Sequence, residues 1–258
     1  MGALHEGHLA LIRHARTIAD AVVVTLFVNP SQFGKGEDFE RYPRDPSGDA
    51  ARVEGAGGDI LFMPREGEMY GERYQTYVAV EEVTRRLEGG VRPGHFRGVA
   101  TVVTKLFHLT KPHVAVFGQK DAQQVVVVRT LIRDLDFDIR LSILPTVREA
   151  DGLAMSSRNA YLNGEQRKEA PVLYRALLAG ERLVARGERR AETVVGEVRR
   201  MIEAESAGRI DYVSLSGAET LEEQTSLSPG DSVVLSLAVR FGTTRLIDNI
   251  PVTVPHGQ

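Results

Sequence analysis

The sequence predicts an α/β fold, a doubly wound parallel sheet followed by a smaller C-terminal α+β domain. Through the first part of the chain, helical periodicities alternate with short apolar runs, the pattern of repeated βα units. Two of these runs pass at once into polar ligand-type residues, Asn29-Pro-Ser-Gln32 and Gly118-Gln-Lys120-Asp121. Open parallel sheets bind ligands at that carboxyl edge. Beyond residue 146 the pattern changes to long helices and alternating strands, so the domains are expected at residues 1–146 and 147–258.

The elements follow in order. Leu9, Ile12, Ala15 and Ala19 recur at helical spacing, and residues 21–28 are a continuous apolar run that reads as a buried strand. Charges, glycines and Pro43 make residues 34–44 a loop, after which a short helix over 49–53 leads to a strand over 59–63. A shorter strand is expected at 77–80 and a helix at 99–109. The glycine-rich basic stretch from Glu88 to Gly98 reads as a loop that either covers a polyanion through His95 and Arg97 or simply connects two elements. Strands over 113–117 and 138–144 flank a helix that runs through Leu131. Helices over 165–187 and 191–206, then half-exposed antiparallel strands over 211–215 and 232–239, complete the chain.

Bulk properties narrow the function. The chain has 258 residues, 42% of them hydrophobic and 26% charged, enough for a substantial core. A net charge of -3 gives no global attraction to nucleic acid or to an anionic membrane, so phosphate binding has to be local. The absence of cysteine excludes disulfides, thiolate metal sites and thioester chemistry. With no apolar run long enough to span a bilayer and no signal-peptide pattern, the cytoplasm is the expected compartment.

The residues that carry chemistry begin with His5-Glu-Gly-His8, placed at the mouth of the first helix. Two imidazoles three residues apart share one face of a helical turn. The unpaired N–H groups and dipole there favour an anion such as a triphosphate. Alone, the pair fits a solvated surface feature or an incidental cap more readily. Asn29 and Gln32 fit either a polar substrate or turn chemistry. Lys120 supplies a mobile charge for phosphate, with Asp121 and Gln124 available to hydroxyls. Met155-Ser-Ser-Arg158 combines two hydroxyls with a guanidinium, the makings of a pyrophosphate clasp, although Ser is also a preferred helix N-cap. Asp248 and Asn249 fit either a reach into the cleft or, more readily, strand-end turn chemistry.

Taken in this order, the motifs resemble those of the pantoate–β-alanine ligase family within the nucleotidyltransferase superfamily. The similarity runs along essentially the whole chain and includes Arg92-Pro-Gly-His-Phe-Arg-Gly98 and Thr244-Arg-Leu-Ile-Asp-Asn249. It implies a Rossmann-like first domain and a C-terminal lid domain. It also implies an ATP-dependent condensation of pantoate with β-alanine through pantoyl adenylate, giving pantothenate, AMP and pyrophosphate. By matching positions, Met1, Gly2, Ala3, Leu4, His5, Glu6, Gly7 and His8 would line the ATP site. Gly118, Gln119, Lys120, Asp121, Val147, Met155, Ser156, Ser157 and Arg158 would join them. Gln32, Gln124 and Asn29 would bind substrate. His5, His8, Lys120, Ser156, Ser157 and Arg158 would be catalytic, with His8, the family's proton-donor position, expected to act by electrostatics instead. Mg²⁺ is expected with ATP, mainly on phosphate oxygens and water, with Asp49 as the protein candidate. A homodimer is implied.

Two departures from the family pattern stand out. Gln119 occupies a position where some relatives have Glu. Relatives also carry roughly two dozen residues ahead of Met1, among them a first strand that lies near the centre of doubly wound sheets. A misassigned start or a truncated chain is therefore expected. A different nucleotidyltransferase, such as a cytidylyltransferase, and a binding protein that keeps only a nucleotide pocket are the competing readings.

Overall fold

The structure is a computed structural model that describes residues 2–34 and 36–256. Two compact units divide the chain: Met1–Gln119 with Gln123–Pro145, and Lys120–Ala122 with Thr146–Gln258. In the first unit, α1 (Glu6–Ile18), β1 (Val23–Thr25), α2 (Pro46–Gly55) and β2 (Ile60–Phe62) precede two short helices, α3 (Glu66–Met69) and α4 (Leu87–Val91). Then come α5 (His95–Thr110), β3 (Val114–Gly118), α6 (Ala122–Asp134) and β4 (Arg140–Leu144). The parallel strands predicted from the βα rhythm are present, as two pairs: β1 with β2, and β3 with β4.

Several expected elements shift, each for a local reason. The strand expected over 21–28 contracts to three residues because its partner β2 is only that long. Residues 77–80 are not assigned as a strand; the Val78 amide bonds instead to the Thr101 hydroxyl at 3.0 Å. Helix α5 starts at His95, four residues early, because Gly94 takes φ +84° and turns the chain before it. The second half of the Gly-rich stretch is thus a helical turn. Phe96, Val99, Ala100, Val103 and Phe107 of α5 repeat at three- and four-residue steps and pack with Val127, Val128 and Leu131 of α6.

The second unit contains α7 (Gly164–Glu169), α8 (Val172–Ala185), α9 (Ala191–Glu205) and a three-stranded antiparallel sheet. The single helix expected over 165–187 is divided at Pro171, which has no N–H to give and crowds the turn before it. The sheet order is β5 (Arg209–Gly217), β6 (Ser232–Phe241), β7 (Thr244–Thr253). Between two partners, β6 is buried over nearly its whole length instead of half-exposed. Its Val233, Leu235, Leu237 and Val239 meet Leu173, Leu177, Val194, Val198 and Ile202 of α8 and α9. Asp248 and Asn249, expected at a strand-end turn, lie within β7. Among the described residues, no helix is long and apolar enough to cross a membrane.

A buried ion pair ties β7 to the hairpin that follows β4. The Asp248 carboxylate receives two bonds from Arg148, at 2.7 and 3.0 Å, and the guanidinium lies 3.6 Å from the centre of the Tyr174 ring. Burial raises the Asp248 carboxyl above the usual range, while Arg148 opposes that rise. Arg148→Met leaves the carboxyl without its counter-charge and is expected to cost about 3 kcal/mol in denaturant unfolding at pH 7. The cost should shrink as pH falls, because protonation then removes the buried charge. An unchanged midpoint at pH 7 would show that the pair adds nothing.

Candidate active site

Helix α1 begins on the two histidines. His5 is its N-cap, and its Nδ1 accepts from the Gly7 amide at 3.2 Å. The His5 amide in turn donates to Nδ1 of His8 at 3.3 Å. This is a capping box in which imidazoles take both side-chain places. Their rings lie 4.0 Å apart, centre to centre. Because both Nδ1 atoms accept, each neutral ring carries its hydrogen on Nε2. The pair therefore presents two N–H donors at the positive end of a 13-residue helix, which is suited to phosphate oxygens.

The segment ahead of the cap is held from α2. Asp49, only 1% exposed, accepts from the Ala3 amide at 2.9 Å and the Leu4 amide at 2.7 Å, and Arg52 donates to it at 3.0 Å. Ala3 sits at φ +51°, a conformation this clamp sustains. The Leu4 side chain is buried with Ile12, Val24 and Val53, so only its backbone is available to a ligand. Met1 lies outside the described residues.

The Asn29–Gln32 turn is cross-braced. Oδ1 of Asn29 accepts from the Ser31 amide, the Ser31 hydroxyl and the Tyr70 hydroxyl, at 3.3, 2.8 and 2.7 Å. Its Nδ2 donates to Gln32 Oε1 and to the Gly98 carbonyl, each at 3.1 Å. Asn29 is thus committed to shaping the turn, while Gln32 borders a cavity of about 300 Å³ together with Phe33, Tyr77, His95 and Arg97. Gly98 is required there, since a Cβ would come within 2.3 Å of the Ser31 carbonyl oxygen. Arg97 stacks on Tyr77 at 3.8 Å, which gives it a defined place at the cavity wall.

Lys120 lies in the turn Gln119–Asp121 between β3 and α6, with Nζ 3.7 Å from the Asp121 carboxylate. Its carbonyl accepts from Asn249 Nδ2 at 2.9 Å, which fixes Lys120 to β7. Gln124 lies on the first turn of α6. Its neighbour Gln123 is structural: it is buried and bonded to the Glu88 amide and to the carbonyls of Val83 and Arg86. Val147 and Met155 are brought together by a bond of 3.0 Å from the Met155 amide to the Val147 carbonyl. Ser156 then caps a short 3-10 helix over Ser157–Tyr161 by accepting from the Arg158 amide at 3.3 Å. The structure thus shows Ser156 as a helix cap, with Ser157 and Arg158 opening the turn behind it.

A model of the family described as "Pantoate-beta-alanine ligase" matches residues 1–251. Pantothenate synthetase of Chloroflexus aurantiacus is 53% identical over 249 residues, covering 96% of this chain and 88% of the relative. A crystal structure of the Thermus thermophilus enzyme superposes with a TM-score of 0.94 at 48% identity, over 99% of this chain and 91% of that one. The chain belongs to the pantoate–β-alanine ligase family. A further family structure, from Francisella tularensis, was solved with β-γ ATP and β-alanine. It superposes with a TM-score of 0.76 at 32% identity, over 97% of this chain and 86% of that one.

The Asp49 oxygens accept from two amides and a guanidinium, so Asp49 braces the loop before His5. Among the described residues, no group of three or more His, Asp or Glu side chains could hold a metal ion. Sequence reasoning missed the supporting residues Tyr70, Arg92, Glu37 and Arg148. Only Arg92 carried a signal, as the first residue of the Arg-Pro-Gly-His motif.

Proposed function

We propose that the chain condenses pantoate with β-alanine in two steps through pantoyl adenylate. A pantoate carboxylate oxygen attacks the α-phosphorus of ATP, the bond from that phosphorus to the bridging oxygen breaks, and pyrophosphate leaves. The β-alanine amine then attacks the acyl carbon, AMP departs, and the amine releases a proton to solvent. No bond to the protein forms.

The observation that carries this reading is the His5–His8 cap, which offers two Nε2–H donors at a helix N-terminus. These donors hold ATP phosphate and steady charge as it grows at the α-phosphorus. Lys120 and the Ser156–Arg158 turn stabilise the departing pyrophosphate. Gly2, Ala3, Glu6, Gly7, Gly118, Gln119, Asp121, Val147 and Met155 line the nucleotide, with the Leu4 backbone. Gln32 and Gln124 hold pantoate, Gln32 also reaches β-alanine, and Asn29 supports Gln32. Magnesium accompanies ATP on phosphate oxygens and water. The protein works as a cytoplasmic homodimer in this reading.

The test is isotope exchange between pyrophosphate and ATP. Exchange is expected to require pantoate and to proceed without β-alanine. Exchange supported by other carboxylic acids or nucleotide acceptors, and not by pantoate, would overturn the assignment.

A further inference from the structure

The motif Arg92-Pro-Gly-His95 lies against the backbone of Gln32. The Gln32 carbonyl oxygen is 2.8 Å from His95 Nδ1 and 3.4 Å from Arg92 Nη2. A carbonyl only accepts, so the hydrogen must be on Nδ1 of His95. On the other side of the ring, Arg92 Nη1 is 3.2 Å from Nε2. A guanidinium only donates, so Nε2 must be bare. Two separate contacts therefore require the same neutral tautomer. Arg92 is aimed by a two-point pair with Glu37, at 2.8 and 2.6 Å.

We infer that His95 is a positioning residue for the ligation: a neutral Nδ1–H donor, locked by Arg92, that fixes the Gln32 backbone and with it the Gln32 side chain at the cavity. The inference rests on the reading of Gln32 as a pantoate residue. Asn29 braces the same turn from within, so His95 supplies the outer half of the constraint. The charged groups facing the ring are Arg92, Glu37 and Glu88. Burial first, and then the Arg92 charge, push the His95 pKa below the ordinary histidine value, against a smaller upward pull from the Gln32 carbonyl and the two glutamates. The ring thus stays neutral, with Nε2 open to Arg92, to a lower pH than an exposed histidine would.

The test combines His95→Ala, His95→Asn, Gln32→Ala and the double variant with alanine at both positions. His95→Ala is expected to raise the pantoate KM about tenfold, the scale of one lost hydrogen bond, with the ATP KM unchanged. His95→Asn should recover most of this, because the Asn amide nitrogen lies where Nδ1 does. Adding His95→Ala to Gln32→Ala should cost nothing further. The pantoate kcat/KM of the parent should fall on an acid limb below the ordinary histidine value of about 6.5, and that limb should be missing in His95→Asn.

Equal impairment in the Asn and Ala variants, or full additivity with Gln32→Ala, would overturn the inference. If Gln32→Ala leaves the pantoate KM unchanged, the pantoate reading of Gln32 fails. The clamp is then decided by the ¹⁵N shifts of the His95 ring: a protonated Nδ1 with a bare Nε2 supports it, and the opposite tautomer refutes it.

Discussion

Lys120→Ala is expected to slow pantoyl adenylate formation by on the order of 100- to 1,000-fold, with little change in stability. The side chain is a single mobile cation at the strand-to-helix turn, and its ion pair with Asp121 is a loose 3.7 Å. That leaves it able to follow charge as it moves onto pyrophosphate. Its backbone is fixed by Asn249, so truncating the side chain leaves the turn in place. A single-turnover experiment with ATP and pantoate reads adenylate directly. Adenylate formation within a few-fold of the parent would remove Lys120 from the chemical step.

His8 is expected to show a comparable loss as His8→Ala, on the order of 100-fold, and a much smaller one as His8→Gln. The cap geometry sets this difference. With Nδ1 accepting from the His5 amide, the neutral ring can present hydrogen only from Nε2, and the amide nitrogen of glutamine reaches the same place. Glutamine donates a hydrogen bond but cannot deliver a proton. Electrostatic stabilisation therefore predicts that His8→Gln keeps adenylation within about tenfold of the parent, while proton donation predicts a loss as deep as in His8→Ala. The same single-turnover assay decides between them.

Much of the candidate site was legible because its parts are local. The spacing of His5 and His8 announces a shared helical face, and the structure turns that into a reciprocal cap over four residues. Lys120 falls where an apolar strand passes through glycine into a helix, and Ser156 falls where serine caps a helical turn. Each depends on interactions within a few residues. The bracing role of Asp49 was not legible, for the opposite reason: its carboxylate accepts from amides 45 and 46 residues earlier in the chain.

The sequence by itself determined the α/β rhythm of the first unit, the change of architecture near residue 146, and the residue types assigned to the proposed site. Those follow from hydrophobic periodicity and capping, which act over one or two turns of chain. Tertiary structure alone decided which polar residues support others. Asn29 faces inward to Gly98, His95 grips a carbonyl 63 residues away, and Asn249 holds Lys120 across 129. A hydrogen bond needs its partner within about 3 Å, and separation along the chain says nothing about that. The His95 tautomer belongs to the same class, being set by the distant Gln32 carbonyl, whereas those of His5 and His8 are set within the cap by amides two and three residues away.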